Sequence, residues 1–465
     1  MTTARTRRRS ARAAAVLVAL VAAGAAMPAA EARPLKGDTA RVSEGPKGEQ
    51  LNGYSTALGL SDDGRYALFS STATDLLPRG GTPNNTEVYL RDLRNGHVER
   101  ISTAADGAQL NAMTFQASIS GDGRYVAFST GATNVLPGGS GHRSDVYVRD
   151  RWTGRTELVT AGGLPSTDDQ SRYDAGSPAI SRDGRYVTYV SNRGDLAPGA
   201  AVPGQNNVYV TDLRTRTSRL VTVGVGGAAA DANSFNPTIS ADGSTVGFGS
   251  RAGNLLPDAP TGPTPSTAPG AAGSPALARG PHYYPYFAWK ADTGRITAAG
   301  LDRAGQRGDV AYDARVSRDG RFAVYSLATY GQGGPGHGGT RLNVFVHELA
   351  TGRVTQVDTG LPGTTSDGTS SGGDLTADDR WVYFDSSDDN LVPGDTNQAV
   401  DVFRRDLWTG RTERVSLTRD GGQSDTASAS PRADATGDTV IFDAVDGNLV
   451  PGDTNQLQDV FLRRL

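Results

Sequence analysis

Three groups of polar residues in this sequence have types and spacings that chemistry could use. The first recurs at one place in a repeated pattern: Asn52, Asn111, Arg172, Asp231, Gly308, Asp367 and Asp425 each stand twelve residues before a turn position. The amides and carboxylates among them, Asn52, Asn111, Asp231, Asp367 and Asp425, form the candidate ligand-binding set. Such a ring could hold a cation or sugar hydroxyls. Alternatively, each member closes a local Asx turn that shapes its own loop.

The second group is the repeated Pro-Gly-Asp-Thr-Asn-x-x-x-Asp, with Asp395, Asn397 and Asp401 in one copy and Asp453, Asn455 and Asp459 in the next. Oxygen ligands at this spacing could meet calcium. The central Gly and distal bidentate Glu of a calcium loop are missing, and calcium takes at least about six oxygens. No metal site and no cofactor are therefore expected.

The third group consists of motifs that lack their context. Gly368-Thr369-Ser370-Ser371-Gly372 spells a nucleophile elbow but lies between strand patterns, with no helix to follow. Gly331-x-Gly333-x-x-Gly336 spells a dinucleotide fingerprint, but Pro335 interrupts it and again no helix follows. The histidines at 97, 142 and 282 fall in different repeats and those at 337 and 347 share another: His97 lies in a short turn, and His142, His282 and His337 in long loops. No dense cluster of acid, base and nucleophile exists, so no catalytic residue is assigned.

The elements that position these residues come from a sevenfold repeat. Ser61-Asp62-Asp63-Gly64-Arg65-Tyr66 returns as Ser120-Gly121-Asp122-Gly123-Arg124-Tyr125 and Ser181-Arg182-Asp183-Gly184-Arg185-Tyr186. Further copies turn at Asp242-Gly243, Asp319-Gly320, Asp378-Asp379 and Thr436-Gly437. Five residues after the turn every copy has an aromatic: Phe69, Phe128, Tyr189, Phe248, Tyr325, Phe384 and Phe442. A second run carries another, at Tyr89, Tyr147, Tyr209, Phe287, Phe345, Phe403 and Phe461. Alternating apolar and polar residues mark half-buried strands, and the Gly-containing turns between them mark hairpins. In the second copy the strands fall at Ala117–Ser120, Tyr125–Thr130, Asp145–Asp150 and Arg155–Thr160. The aromatic rings are expected to pack between neighbouring blades.

Four antiparallel strands repeated seven times predict an all-β, seven-bladed β-propeller. The last copy stops after its third strand, at 459–465. Its fourth strand is expected from the N-terminus, because Thr39-Ala40-Arg41-Val42-Ser43 matches Thr412-Glu413-Arg414-Val415-Ser416 and Val98-Glu99-Arg100-Ile101-Ser102. That pairing would close the ring and remove its open edges.

The Ser-x-Asp-Gly-Arg turn, the apolar-aromatic strand and the Asp-Val-Phe/Tyr strand resemble the TolB-like, WD40-like (PD40) propeller repeats of bacterial exported proteins. The resemblance covers residues 39–465 and implies the propeller fold and a binding role. It departs from TolB, which carries a separate domain before a six-bladed ring, so the Tol–Pal envelope role is not carried over. Related peptidases add a hydrolase domain after the propeller. This chain ends on a strand, and no such domain is expected.

Residues 1–32 read as a secretory signal peptide. Arg5, Arg7, Arg8, Arg9 and Arg12 precede an apolar stretch from Ala13 to Ala26, and Ala30-Glu31-Ala32 offers a cleavage site. The apolar run is shorter than the roughly 20 residues a membrane span needs. Residues 33–465 then form one propeller, with a Pro/Gly-rich insertion at about 257–281 followed by Tyr283, Tyr284 and Tyr286. That insertion is either a flap whose aromatics meet a ligand or a tolerated loop whose tyrosines pack on the blade. The chain has no Cys, which rules out disulfides and thiol chemistry. Its net charge of −4 falls to −8 without residues 1–32, which hold five Arg and one Glu. No basic stripe remains for nucleic acid.

Two functions remain open. One is an exported, monomeric, non-catalytic scaffold in the cell envelope or outside the cell. It would bind a protein or cell-wall polymer through the face that carries the long loops. The alternative is a carbohydrate-active enzyme, a glycoside hydrolase or polysaccharide lyase, at the channel mouth. That would require Asp231, Asp367 and Asp425 to act as its carboxylates.

Overall fold

The computed structural model describes residues 37–465, apart from 79–80, 82–84, 115, 139–142, 162–174, 258–283, 311–312, 331–339, 365–367 and 446. Seven four-stranded antiparallel sheets occupy residues 55–100, 116–158, 175–220, 234–298, 315–356, 370–414 and 428–464 with 39–41. They are numbered here as blades 1 to 7. Among the described residues the only helix is the 3-10 turn Val225–Gly227. The chain folds as the all-β, seven-bladed propeller that its repeat predicts.

The repeated turn explains itself. In blade 1 the Ser61 hydroxyl donates to Asp63 at 2.7 Å and accepts the Tyr66 N–H at 2.9 Å. Gly64 sits at φ 61°, the left-handed region that favours glycine. Arg65 then reaches Asp92, at the end of the third strand, with an N–O distance of 2.7 Å. Arg124 does the same to Asp150, Arg185 to Asp212 and Arg380 to Asp406. The motif thus fastens the first hairpin of a blade to its third strand.

The two aromatic series face each other across the second and third strands. Phe69 opposes Tyr89 and Phe128 opposes Tyr147, and so on around the ring. All seven pairs stack, with centroids 5.7–6.2 Å apart and planes 17–29° apart. Such pairs stabilise by about 1 kcal/mol each beyond their burial. They also pack between blades, as expected: Phe69 and Tyr89 share a core with Ile441, Val460 and Leu462 of blade 7.

Closure follows the sequence reading. Thr39, Ala40 and Arg41 pair antiparallel with Arg463, Leu462 and Phe461. Ser43 donates to Asp459 at 2.6 Å and accepts the Val460 N–H at 2.8 Å. Ser416 bonds Asp401 and Val402 in the same way one blade earlier.

Blade 4 has glycines where its neighbours have side chains. A Cβ at Gly249 would lie 1.9 Å from the Tyr284 ring, and one at Gly247 would lie 2.0 Å from the Tyr286 hydroxyl. Both tyrosines are buried. Tyr284 stacks on Phe235 and accepts from Asn236 at 2.8 Å. The Tyr284 ring packs on its own blade, as the second reading of the insertion expects, and Tyr286 lies in the core shared with Ala323, Tyr325 and Phe345 of blade 5. Tyr283, most of the insertion and residues 1–32 lie outside the described residues.

Candidate functional site

Within each blade the first-to-second and third-to-fourth connections are tight turns, and the other two connections are long. The trimmed turns and the long loops therefore lie at opposite ends of a channel lined by the seven innermost strands. Functional residues concentrate on loops held by a rigid scaffold.

On the long-loop face, the candidate ring acts first as a set of clasps. Asn52 donates to Thr74 at 2.7 Å and accepts the Thr74 N–H at 2.8 Å. Asn111 makes the same two contacts with Thr133, at 2.8 and 2.9 Å. Asp231 accepts from the Gly253 N–H at 2.7 Å, and Asp425 accepts from the Asn448 N–H at 3.1 Å. Their backbone N–H groups are held in turn by Asp75, Asn134, Asn254 and Asn448. These are links between two loops of one blade, 22 or 23 residues apart, rather than local Asx turns. All four residues are exposed. Asp367 and Arg172 lie outside the described residues.

The Asp-rich copies hold a cation supplied by the protein. The Arg414 guanidinium lies 2.7 Å from Asp395 and 3.6 Å from Asp401. Arg41 stands 3.2 Å from Asp453 and 3.4 Å from Asp459. Asn397 bonds Asp401 and the Ser424 carbonyl, and Asn455 bonds the Leu51 carbonyl. The spacing that suggested calcium fits a buried guanidinium. No group of three or more metal-ligating side chains occurs among the described residues.

The other motifs resolve plainly. Ser370 is buried at the start of a strand and bonds Ser386 at 2.8 Å, so it forms no nucleophile elbow. His347 is buried, its Nδ1 2.9 Å from the Ala299 carbonyl oxygen, and His97 is exposed in its turn. His142, His282, His337 and 331–336 lie outside the described residues.

Inside the channel the structure assembles charges that sequence reasoning missed. At the trimmed end Asp62 of blade 1 meets Arg182 of blade 3, at 2.9 Å, and Arg318 of blade 5. Arg182 also donates to the Leu60 carbonyl, and Arg318 to the Ala433 carbonyl. These three side chains form a plug that spans non-adjacent blades. One layer further in, Gly59, Ser118, Ala179, Thr238, Arg315, Asp374 and Arg432 occupy the same position in the seven innermost strands. They line a cavity of about 140 Å³ behind the plug.

Nearer the long loops, carboxylates link neighbouring blades. Asp385 accepts the Ser430 N–H at 3.2 Å, and Asp443 accepts the Ala57 N–H at 2.7 Å. Asp313 accepts from Gly372, and Gln116 accepts the Ser177 N–H at 2.8 Å. Gly372, Ser430 and Ser177 lie at bulges with positive φ, which turn their N–H groups towards the preceding blade. Burial pushes the Asp385 carboxyl up to about 6 and Asp443 up to about 7. Paired shifted carboxyls are often catalytic. Here both are buried and hold backbone groups between blades, which gives them a structural task.

The exposed large apolar residues are unevenly placed. Tyr54, Met113 and Val445 are 58%, 46% and 45% exposed at the long-loop ends of blades 1, 2 and 7, which are consecutive around the ring. Gln458 pairs with Val445 in the sheet and reaches the Ser55 carbonyl at 3.2 Å, beside Tyr54. Val202 and Val225 are exposed in other loops of the same face. The trimmed face exposes Trp152 and Trp408, which lie against the guanidiniums of Arg124 and Arg380 at 4.7 and 5.0 Å.

No protein-family model matches the chain, and no characterised protein matches it in sequence. Solved structures do match in shape. The propeller domain of the Trilobed protease from Pyrococcus furiosus is 12% identical, with a TM-score of 0.50 over 89% of this chain and 94% of that one. An oligogalacturonate lyase from Vibrio parahaemolyticus is 12% identical, with a TM-score of 0.47 over 92% and 98%. A putative TolB from Agrobacterium tumefaciens is 17% identical, with a TM-score of 0.37 over 66% and 81%. At these identities the likeness is one of fold.

Proposed function

We propose that this propeller is a non-catalytic binding scaffold, exported through residues 1–32, which takes a protein partner on its long-loop face. The supporting observation is the placement of Tyr54, Met113 and Val445 on consecutive blades around one rim. Their side chains are exposed on loops that the Asn52, Asn111 and Asp425 clasps hold in place. Exposed apolar side chains on a rigid rim offer anchors that a protein partner can bury. The Trp side chains of the trimmed face, by contrast, cover Arg–Asp pairs of their own blades.

The clasps also bear on the enzyme alternative. Asp231 and Asp425 each use a carboxylate oxygen to hold a backbone N–H of their own blade.

A binding isotherm against fractionated envelope proteins, and separately against purified cell-wall polymer, tests the proposal. The variant Y54S/M113S/V445S is expected to weaken the protein complex at least about tenfold, since each buried apolar anchor contributes about 1 kcal/mol or more. The variant W152A/W408A is expected to bind like the parent. Equal binding by the rim variant, or binding to polymer alone, would overturn the reading.

A further inference from the structure

The seven-residue layer behind the plug is divided in two. Blades 1 to 4 contribute Gly59, Ser118, Ala179 and Thr238, which are small and uncharged. Blades 5 to 7 contribute Arg315, Asp374 and Arg432. Every member stands five residues before its turn position, so the difference lies in the side chains and not in the register. The small half leaves the space, and the charged half faces it.

The guanidiniums in this cavity are short of acceptors. Neither Arg315 nor Arg432 has a carboxylate within ion-pair distance among the described residues. The buried Nε of each lacks a hydrogen-bond partner, as does the Nε of Arg318. Arg432 makes one hydrogen bond, to the carbonyl of its neighbour Pro431. Unpaired buried N–H groups are costly, and charged ones more so.

The surrounding carboxylates are partly engaged by the scaffold, and the buried Oδ1 of Asp313 has no hydrogen-bond partner. Asp374 accepts the Ala433 N–H at 2.8 Å, and Asp62 is shared by Arg182 and Arg318. Asp443, Asp385 and Asp313 lie within electrostatic reach, but each receives a backbone N–H from the next blade. Burial and the neighbouring Arg315 lower Arg432 to about 10, and burial and Arg318 lower Arg182. Among the lining residues four are arginines and one, Asp374, is a carboxylate, with Asp62 in the plug and Asp313, Asp385 and Asp443 within electrostatic reach.

We propose that this cavity is a binding site for a small oxyanion, phosphate or a simple carboxylate, held between Arg315 and Arg432. The anion would receive charge-assisted bonds from blades 5 and 7 and so tie the ring across its axis. Ser118 faces it from the opposite wall. Its oxygen accepts the Ile180 N–H at 2.9 Å, and its own hydroxyl proton remains available. The cavity volume suits a free ion or a very small acid, not a polymer.

Calorimetric titration of the purified protein with phosphate and with acetate tests the site, with sodium chloride at matched ionic strength as the control. Saturable binding and a saturable rise in melting temperature are expected for phosphate, for acetate, or for both. Chloride is expected to produce neither. Arg315→Met and Arg432→Met are each expected to weaken binding about tenfold or more, the effect of losing one charge-assisted contact. Arg216→Met, on an exposed outer hairpin, is expected to leave it unchanged. Both channel variants should fold, because each removes one of two repelling charges. The absence of saturable binding to the unaltered protein would overturn the proposal, and so would binding by both channel variants as tight as the parent's.

Discussion

The Arg41 guanidinium lies 3.2 Å from Asp453 and 3.4 Å from Asp459, joining the two ends of the propeller chain. Arg414 makes the equivalent pair of contacts to Asp395 and Asp401 within blade 6. The closure therefore uses the same buried ion triad as an ordinary blade, with the arginine supplied from the other terminus. Both guanidiniums are almost fully buried, so removing either takes a buried counter-charge from two carboxylates.

Arg41→Met is expected to destabilise the protein by about 3–5 kcal/mol, the usual cost of breaking a buried pair. Hydrogen exchange should also quicken along 458–464, where blade 7 loses its outer strand. Arg414→Met should cost a similar amount without exposing that edge. Unchanged exchange at 458–464 in the Arg41 variant would show that the N-terminal strand does not seal the ring.

The plug joins blades 1, 3 and 5 through one carboxylate. Asp62→Asn is expected to lower stability by about 1 kcal/mol, a modest figure because Asp62 is partly exposed. Adding Arg182→Met should recover part of the loss, since it removes one of the two guanidiniums left without an anion. Thermal melts of the single and double variants check this. Strictly additive losses would contradict a shared-anion plug.

Asp443 provides a pH test. Its carboxyl is raised to about 7 by burial, while an unfolded Asp titrates near about 4. Folding then favours the protonated acid, so its contribution is complete below about pH 4 and is lost as pH rises through about 7. Asp443→Asn keeps a carbonyl oxygen for the Ala57 N–H and cannot ionise. It should raise stability at pH 8 by on the order of 2 kcal/mol and change it little at pH 4. Melting curves at the two pH values decide the matter, and an equal shift at both would contradict the assignment.

The clasps predict a link between rim stiffness and binding. Asn448→Ala removes the side-chain carbonyl that holds the Asp425 N–H and an amide bond to the Gln423 carbonyl. Exchange at 423–427 should quicken, and stability should fall by about 1 kcal/mol. An exchange rate equal to the parent's would show that the contact does not hold the loop.

Much of the fold was legible because blade-building residues recur. Ser61, Asp63, Gly64 and Arg65 each perform a task within their own hairpin or the adjacent strand, so the same residue types return with the period. The closing strand was legible because Arg41 and Ser43 do for blade 7 what Arg414 and Ser416 do for blade 6. The clasp partners carried a signal that was not used: Asp75, Asn134, Asn254 and Asn448 all stand eleven residues after their turn positions, as Asp195 and Asn390 do in two other copies. The channel layer was harder to see. Gly59, Ser118, Ala179, Thr238, Arg315, Asp374 and Arg432 share a position but no chemistry, because the channel axis brings together side chains that no single blade requires. Asp62, Arg182 and Arg318 escaped for the same reason, since their contacts cross the ring between residues 120 or more apart.

The long-loop face is the proposed binding surface. Hydrogen exchange on the complex, compared with the free protein, tests it directly. Binding at the rim predicts protection at 44–54, 103–113 and 447–457, the loops around Tyr54, Met113 and Val445, with the turns at 62–65 and 151–154 unchanged. Protection confined to those trimmed turns, with the three long loops unaltered, would contradict it.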